Sequence, residues 1–155
     1  MKALTDPVAP LLVFAWGNRS RGDDALGPLC LDRLRALLPA DSGVDWLEDY
    51  QLQIEHTLDL VGRSRVLFVD ASLTCAAPFE VTSLAPARDT SAATHALSPQ
   101  ALLQVYCDLY AGPLPPCTLL AIRGEGFELG APLSPAGDAH LELALGWCRS
   151  WLSRS

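Results

Sequence analysis

Two adjacent carboxylates follow the first apolar run of the chain. Residues 14–28 pass from that run through a turn of glycine, asparagine and serine, present Asp23 and Asp24, and enter an amphipathic segment at Gly27. This order predicts a strand, a loop and a helix. Ligands of open α/β sheets bind outside the carboxyl ends of the strands, so acids in this loop lie where chemistry usually occurs. Alternatively, one Asp caps the helix, because helix N-termini favour Asp and negative charge.

Two further polar residues are predicted to lie beside this loop. Asp70 ends the third apolar run and His95 precedes the third predicted helix, so their loops and that of Asp24 can open on one carboxyl edge of the sheet. Two carboxylates and an imidazole suit a divalent first-row metal, and they could equally activate a water for hydrolysis. The alternatives are that Asp70 hydrogen-bonds only the turn backbone and that His95 is a surface or structural residue.

Two further histidines lack an obvious partner in the sequence, and several catalytic motifs are absent from it. His56 and His140 fall on predicted helices, with no carboxylate in an obvious neighbouring loop. The chain has no phosphate-binding P-loop, no dinucleotide-binding glycine pattern after the first strand, no Gly-x-Ser-x-Gly elbow and no His-Glu-x-x-His helix. These absences argue against nucleotide-binding, serine-hydrolase and zinc-helix chemistry of those kinds.

Strands and helices alternate along the predicted fold. Apolar runs predict strands at 11–16, 44–47, 66–69, 79–84 and 117–122, and helical spacing predicts helices at 27–38, 53–61, 98–112 and 134–152. A parallel connection needs a dozen or more residues, so the fourth strand, which follows the third closely, should run antiparallel to it. The prediction is one α/β domain, residues 1–155, folded as a three-layer α/β/α sandwich around a mixed, twisted five-stranded sheet with one antiparallel strand.

The composition of the chain limits the kinds of partner and the cellular compartment that we expect for it. The chain is 50% hydrophobic with a formal net charge of -7 and has no run of Lys or Arg, so nucleic acid and anionic membrane are not expected partners. The 5 cysteines form no Cys-x-x-Cys pair, which favours reduced thiols and a cytoplasmic location over a disulfide framework or zinc knuckle. Asp6 interrupts the apolar N-terminal residues, so no signal peptide is expected. We also expect the protein to be a monomer.

Three short segments occur in a characteristic order and spacing. They are Gly17-Asn18 with Gly22-Asp23-Asp24 and Gly27, then Phe68-Val69-Asp70-Ala71, then Thr94-His95-Ala96-Leu97-Ser98-Pro99. These segments resemble the signature segments of the [NiFe]-hydrogenase maturation endopeptidases. The first segment and residues 51–56 look most like the HoxW-type branch, which serves bidirectional or NAD-reducing hydrogenases. The resemblance runs from Leu11 to about Trp151.

This resemblance implies a phosphorylase/hydrolase-like fold and a specific activity. The activity is that of an endopeptidase, aspartic-type or nickel-assisted, which removes the C-terminal extension of a hydrogenase large-subunit precursor after nickel insertion. The family's metal contacts carry over to Asp24, Asp70 and His95, the nickel being that of the precursor, and Asp24 or Asp70 could serve as general base. The alternatives are a non-catalytic nickel-sensing assembly factor that binds the precursor and, from fold class alone, a small-molecule enzyme or nucleotide binder.

The sequence departs from the family pattern at several positions. In better-known members of the family, the first acid of the metal-contacting set is often Glu. The corresponding residue here is Asp24, whose side chain is one methylene shorter. Residues 48–51 stand where many relatives have an acid followed by a glycine-rich turn. Arg19 and Arg21 replace aliphatic residues of other branches, and they could meet carboxylates of the substrate or be ordinary solvated charges.

Overall fold

A computed structural model describes residues 7–89 and 97–154. In this part of the chain the strands are β1 (Leu11–Trp16), β2 (Val44–Asp49), β3 (Arg65–Ser72), β4 (Phe79–Ser83) and β5 (Cys117–Arg123). They form one sheet in the order β2-β1-β3-β5-β4. Neighbours are parallel except β4, which pairs antiparallel with β5. The predicted mixed five-stranded sheet with one antiparallel strand is therefore confirmed.

Helices cover both faces of the sheet. Their bounds are α1 (Leu26–Leu37), α2 (Thr57–Leu60), α3 (Pro99–Leu109) and α4 (Pro135–Leu152). Side chains of α1 and α4 share one apolar core with the sheet, and side chains of α2 and α3 share the other. The predicted three-layer α/β/α sandwich is thus confirmed.

The central strands are apolar throughout because both of their faces are buried. Along β1, Val13 and Ala15 belong to the core beneath α1 and α4, while Leu12 and Phe14 belong to the core beneath α2 and α3. This division follows from the two-residue period of a strand, which points successive side chains to opposite faces.

Serine caps begin the two long helices after β4 and β5. The Ser98 hydroxyl accepts a hydrogen bond from the Ala101 N–H of α3 at 3.0 Å, and Ser134 Oγ accepts one from the Gly137 N–H of α4 at 2.9 Å. A proline follows each cap at the first helical position, where it removes no helical hydrogen bond. The starts predicted for these helices are confirmed.

Several elements differ from the predictions. Strand β2 continues to Asp49 and β3 continues to Ser72, because β1 and β5 offer paired backbone groups beyond the apolar runs. Asp70 therefore lies within β3 rather than at its end. Residues 53–61 are not one helix: a 3-10 turn, Ile54–His56, precedes the short α2. Strand β4 has the predicted direction, but its partner is β5 rather than β3.

The 5 cysteines are free thiols, and the sulfur atoms of Cys30 and Cys148 lie 3.9 Å apart between α1 and α4. Among residues 7–89 and 97–154, none of the helices has the length and apolar character needed to cross a bilayer.

Gly27 allows α1 to lie directly on the carboxyl ends of β1 and β3. A Cβ atom at this position would stand 2.6 Å from the Trp16 carbonyl oxygen and 3.0 Å from that of Val69. Both neighbours are backbone atoms of central strands, which cannot move aside as a flexible side chain can. The close approach brings the loop before α1 to the strand ends.

We predict that Gly27→Ala lowers the free energy of unfolding by about 1–3 kcal/mol, because the added methyl forces α1 away from the sheet. Gly146→Ala in α4 is the matched control, since among the described residues no atom beyond its chain neighbours and its own helix backbone lies within 4 Å of its Cβ position. That variant should be as stable as the unmutated chain or gain up to about 1 kcal/mol, since Ala favours helix. Urea unfolding measures both, and equal stabilities of the two variants would contradict the close approach.

Candidate functional site

The two adjacent carboxylates of the β1–α1 loop have different surroundings. They lie in a 3-10 turn, Gly22–Ala25, and Asp23 points into the protein with only 1% of its surface exposed. Asp23 Oδ2 accepts hydrogen bonds from the Glu125 N–H at 2.7 Å and the Ser134 hydroxyl at 2.6 Å. Asp23 Oδ1 accepts one from the Ser134 N–H at 2.7 Å. Asp23 thus joins the first loop of the site to the start of α4.

The environment of Asp23 keeps it ionised. Burial alone would raise the pKa of Asp23, but the hydrogen bonds from Ser134 and Glu125 outweigh burial and hold the pKa below its usual value. Glycines enclose the side chain: a Cβ atom at Gly124 would lie 2.8 Å from the Asp23 Cβ, and one at Gly137 would lie 2.9 Å from its carboxyl carbon. Asp23 is therefore a buried anchor rather than a group open to a ligand.

Asp24 lies on the other side of the same turn and is only partly buried. Its Oδ2 accepts a hydrogen bond from the Asn18 N–H at 2.8 Å. Gly17, with φ of +146°, passes so close that a Cβ atom there would lie 2.1 Å from the Asp24 carbonyl oxygen. Neither Asp23 nor Asp24 caps the 3-10 turn or α1 with its side chain. The capping alternative considered from the sequence is therefore wrong for both residues.

Asp70 is the most perturbed carboxyl group at this edge of the sheet. Burial raises the pKa of Asp70 to about 7, and the negative charge of Asp24 adds to the effect. Hydrogen bonds from the Ala71 backbone and the Trp16 side chain oppose it. Asp70 can therefore gain or lose a proton near neutral pH, as a general acid or base must.

Asp24 and Asp70, two of the three candidate site residues, are brought into electrostatic contact at the carboxyl edge of β1 and β3. The third, His95, lies outside the described residues. Within residues 7–89 and 97–154, there is no cluster of three or more His, Cys, Asp or Glu side chains arranged to hold a metal ion. The metal set of Asp24, Asp70 and His95 stays a prediction.

A cavity of about 400 Å³ adjoins the Asp24 loop. Its lining residues are Asn18, Arg19, Ser20, Glu48, Asp49 and Tyr50. Asn18 connects the cavity to Asp24, because the backbone N–H of this lining residue donates to the Asp24 carboxylate. The ends of β1 and β2 thus form a polar hollow next to the carboxyl pair.

Arg19 lies in the wall of this cavity and is paired within the protein. Its guanidinium donates to Glu48 Oε2 at 2.8 Å and to Asp32 Oδ2 at 2.7 Å. Two carboxylates of the chain thus compete with any carboxylate of a substrate for Arg19. Arg21 is exposed beside it.

Sequence reasoning missed a second titratable pair near this cavity. His56 Nε2 lies 3.0 Å from Asp49 Oδ2, so the expectation that His56 has no neighbouring carboxylate is wrong. The error has two causes: β2 extends to Asp49, and the 3-10 turn brings His56 back beside it. The capping box of Gln53 and His56, three residues apart, is the signal that could have predicted the turn.

The expectation for His140 is also wrong. Its positive charge, when present, lies near enough to Asp23 to lower the pKa of that carboxyl group. The His140 ring Nδ1 lies 2.8 Å from the Arg123 carbonyl oxygen, which can only accept a hydrogen bond. His140 therefore belongs to the buried surroundings of Asp23 rather than to the cavity.

The chain is thus an α/β/α protein with two interacting carboxyl groups at the carboxyl edge of its sheet. One group lies in the loop after β1 and the other lies in β3. No family model and no curated protein sequence matches the chain. Solved structures are similar to it over almost its full length. One is the [NiFe] hydrogenase maturation protease HycI from Thermococcus kodakarensis KOD1, with a TM-score of 0.71, 19% identity and 94% of each chain covered.

Two further structures share this architecture. The hydrogenase maturating endopeptidase HybD from E. coli has a TM-score of 0.71 and 24% identity, over 92% of this chain and 91% of that chain. The [NiFe] hydrogenase maturation protease HybD from Thermococcus kodakarensis has a TM-score of 0.63 and 17% identity, over 92% of this chain and 99% of that chain. The chain therefore has the fold of the hydrogenase maturation proteases.

We predict that Asp23→Asn lowers the free energy of unfolding at pH 7 by about 2–4 kcal/mol, because an amide NH2 would face N–H donors. Asp24→Asn, the neighbouring control, should cost less than about 1 kcal/mol. Because folding lowers the pKa of Asp23, its stabilisation is present above the unfolded-state pKa of about 3.9 and is lost as pH falls through the folded value. Urea unfolding at several pH values should show Asp23→Asn and the unmutated chain converging in acid. Equal stabilities at pH 7 would rule out the anchor.

A second prediction concerns the protonation of Asp70. Its carboxyl carbon, followed by NMR, should titrate with a pKa of about 7. Asp24→Asn should lower this pKa by removing a negative neighbour, and Trp16→Phe should raise it by removing a hydrogen bond to the charged form. An Asp70 pKa that does not respond to Asp24→Asn would show that the two carboxyl groups do not interact.

Proposed function

We propose that this chain is an endopeptidase that removes the C-terminal extension of a [NiFe]-hydrogenase large-subunit precursor after nickel insertion. The observation that carries the proposal is that Asp24 and Asp70 lie close enough at the carboxyl edge of the sheet for the charge of Asp24 to raise the pKa of Asp70. The same fold occurs in proteins described as hydrogenase maturation proteases, at up to 94% coverage of this chain. Peptide hydrolysis fits a site that combines a proton-exchanging carboxyl group with a second carboxyl group and an adjoining cavity.

Asp70 is the proposed proton carrier of the reaction. With a pKa of about 7, it can take a proton from an attacking water or give one to the leaving amine at neutral pH. Burial keeps the Asp70 pKa high, and the charge of Asp24 raises it further, because two neighbouring carboxyl groups resist ionising together. In this version of the mechanism the enzyme is of the aspartic type, with Asp24 and Asp70 facing the scissile peptide.

Nickel enters the proposal as part of the substrate. Carboxylate oxygens accept divalent first-row metals, so Asp24 and Asp70 fit a metal presented by the precursor, and the sequence resemblance adds His95. A metal held there would place the scissile peptide and polarise its carbonyl group. Recognition of nickel by the protease would also restrict cutting to precursors that are already loaded.

The proposal extends to the partner and the cellular location. Residues 51–56 resemble the HoxW-type segment, and on this resemblance we propose that the precursor is that of a bidirectional or NAD-reducing hydrogenase. The free state of all 5 cysteines suits a reducing compartment, and we propose a monomeric cytoplasmic enzyme.

We predict that the chain releases one C-terminal fragment from nickel-loaded precursor and leaves nickel-free precursor intact, as measured by intact mass. Asp24→Asn and Asp70→Asn should slow the cut by about 100-fold or more, the range expected when a general acid or base is lost. Asp41→Asn, an exposed acid outside the site, is the control and should cut normally. His95→Gln tests the predicted third ligand.

Each outcome of this experiment has a defined meaning. Nickel-loaded precursor that keeps its full mass while forming a complex would favour the non-catalytic assembly factor. Cutting that is equally fast without nickel would contradict the recognition of nickel by the protease, but it would leave the proposed endopeptidase activity in place. Normal cutting by both Asp24→Asn and Asp70→Asn would overturn the proposed site.

A further inference from the structure

Residues 51–56 contain the segment that resembles the HoxW-type branch, yet the reaction proposed above assigns them no role. They follow β2 directly and form the 3-10 turn Ile54–His56, which returns the chain to the edge of the sheet. His56 is the buried member of this turn, with 7% of its surface exposed. A histidine this buried needs partners for both ring nitrogens.

The two ring nitrogens of His56 have unequal partners. The Gln53 backbone N–H donates to Nδ1 at 2.8 Å, so Nδ1 must act as the acceptor. The ring proton then lies on Nε2, which donates to Asp49 Oδ2 at 3.0 Å. Phe14 packs edge-on against the ring, with 4.5 Å between the centroids. The backbone and the core thus fix the direction of the Nε2–H bond.

Asp49 receives this hydrogen bond at the wall of the 400 Å³ cavity. Its other carboxylate oxygen, Oδ1, accepts from the Tyr50 N–H at 2.7 Å. Its carbonyl oxygen accepts from the Gly17 N–H at 3.1 Å, in the loop that carries Asp24. Asp49 is therefore oriented on both carboxylate oxygens and attached to the backbone of the carboxyl site.

We propose that His56 is a positioning residue that orients Asp49 as an acceptor for a hydrogen-bond donor of the precursor. Asp49 would hold that donor in the cavity beside the Asp24 and Asp70 pair. This inference rests on the proposed function and adds a second contact for the same substrate. The nearby acids Glu48 and Asp32 are already paired with Arg19. Asp49 is the carboxylate of the cavity wall that has no Arg or Lys partner within residues 7–89 and 97–154.

The test compares variants that keep or remove the Nε2–H donor. His56→Phe keeps an aromatic ring against Phe14 but has no donor, whereas His56→Gln retains an N–H that can reach Asp49. Asp49→Asn removes the carboxylate itself. Steady-state cutting of nickel-loaded precursor gives KM and kcat for each variant, and urea unfolding reports whether each is folded.

The expected result is a split between binding and turnover. His56→Phe and Asp49→Asn should each raise KM by about tenfold or more with a smaller change in kcat, because a contact to a charged group is lost away from the cut. His56→Gln should restore most of the lost affinity. Adding His56→Phe to Asp49→Asn should raise KM no further, because His56 acts through Asp49.

The two proposals fail in different ways. If the unmutated chain cuts the precursor and folded His56→Phe and Asp49→Asn keep its KM, the positioning role is overturned and the protease stands. If His56→Phe does not fold, Asp49→Asn alone decides, since a normal KM there overturns the role. If the unmutated chain binds without cutting, the dissociation constants of the same variants replace KM. A chain that neither cuts nor binds the precursor overturns both proposals.

Discussion

A buried, ionised carboxylate holds this site in place. Asp23 accepts hydrogen bonds from two residues more than 100 positions away, Glu125 and Ser134, and so fixes the β1–α1 loop against the beginning of α4. A buried charge is costly unless its hydrogen bonds are satisfied, and here the carboxylate has three of them. The turn that contains Asp23 leaves its neighbour Asp24 facing the carboxyl edge of the sheet.

The proposed chemistry of the site depends on a second carboxyl group, Asp70, whose pKa is shifted in the opposite direction. Asp70 is buried within β3, near another acid and with two opposing hydrogen bonds, so its pKa is about 7. Donors satisfy Asp23 and lower its pKa, whereas burial dominates at Asp70 and raises it. One sheet edge therefore contains an acid that anchors the fold and an acid that can exchange a proton at neutral pH.

The sequence predicted the parts of this molecule that depend on local pattern. Apolar runs placed β1 with its observed bounds, and the Ser-Pro pairs placed the starts of α3 and α4. Pattern alone could not tell which of Asp23 and Asp24 is buried, because that depends on Ser134, far along the chain. The pattern also failed to predict the contact of His56 with Asp49, because Asp49 lies in β2 beyond the apolar run that predicted this strand.

The 3-10 turn that contains both Asp23 and Asp24 also limits how this loop can change in evolution. Neighbouring residues of such a turn point about 120° apart, because it has about three residues per turn. Deleting or inserting one residue within the turn would therefore change which side chain points to Glu125 and Ser134 and which points to the sheet edge. Side chains in the loop can vary where they face solvent, but the two acids must keep their places within the turn, because it is Asp23 that reaches the donors of Glu125 and Ser134.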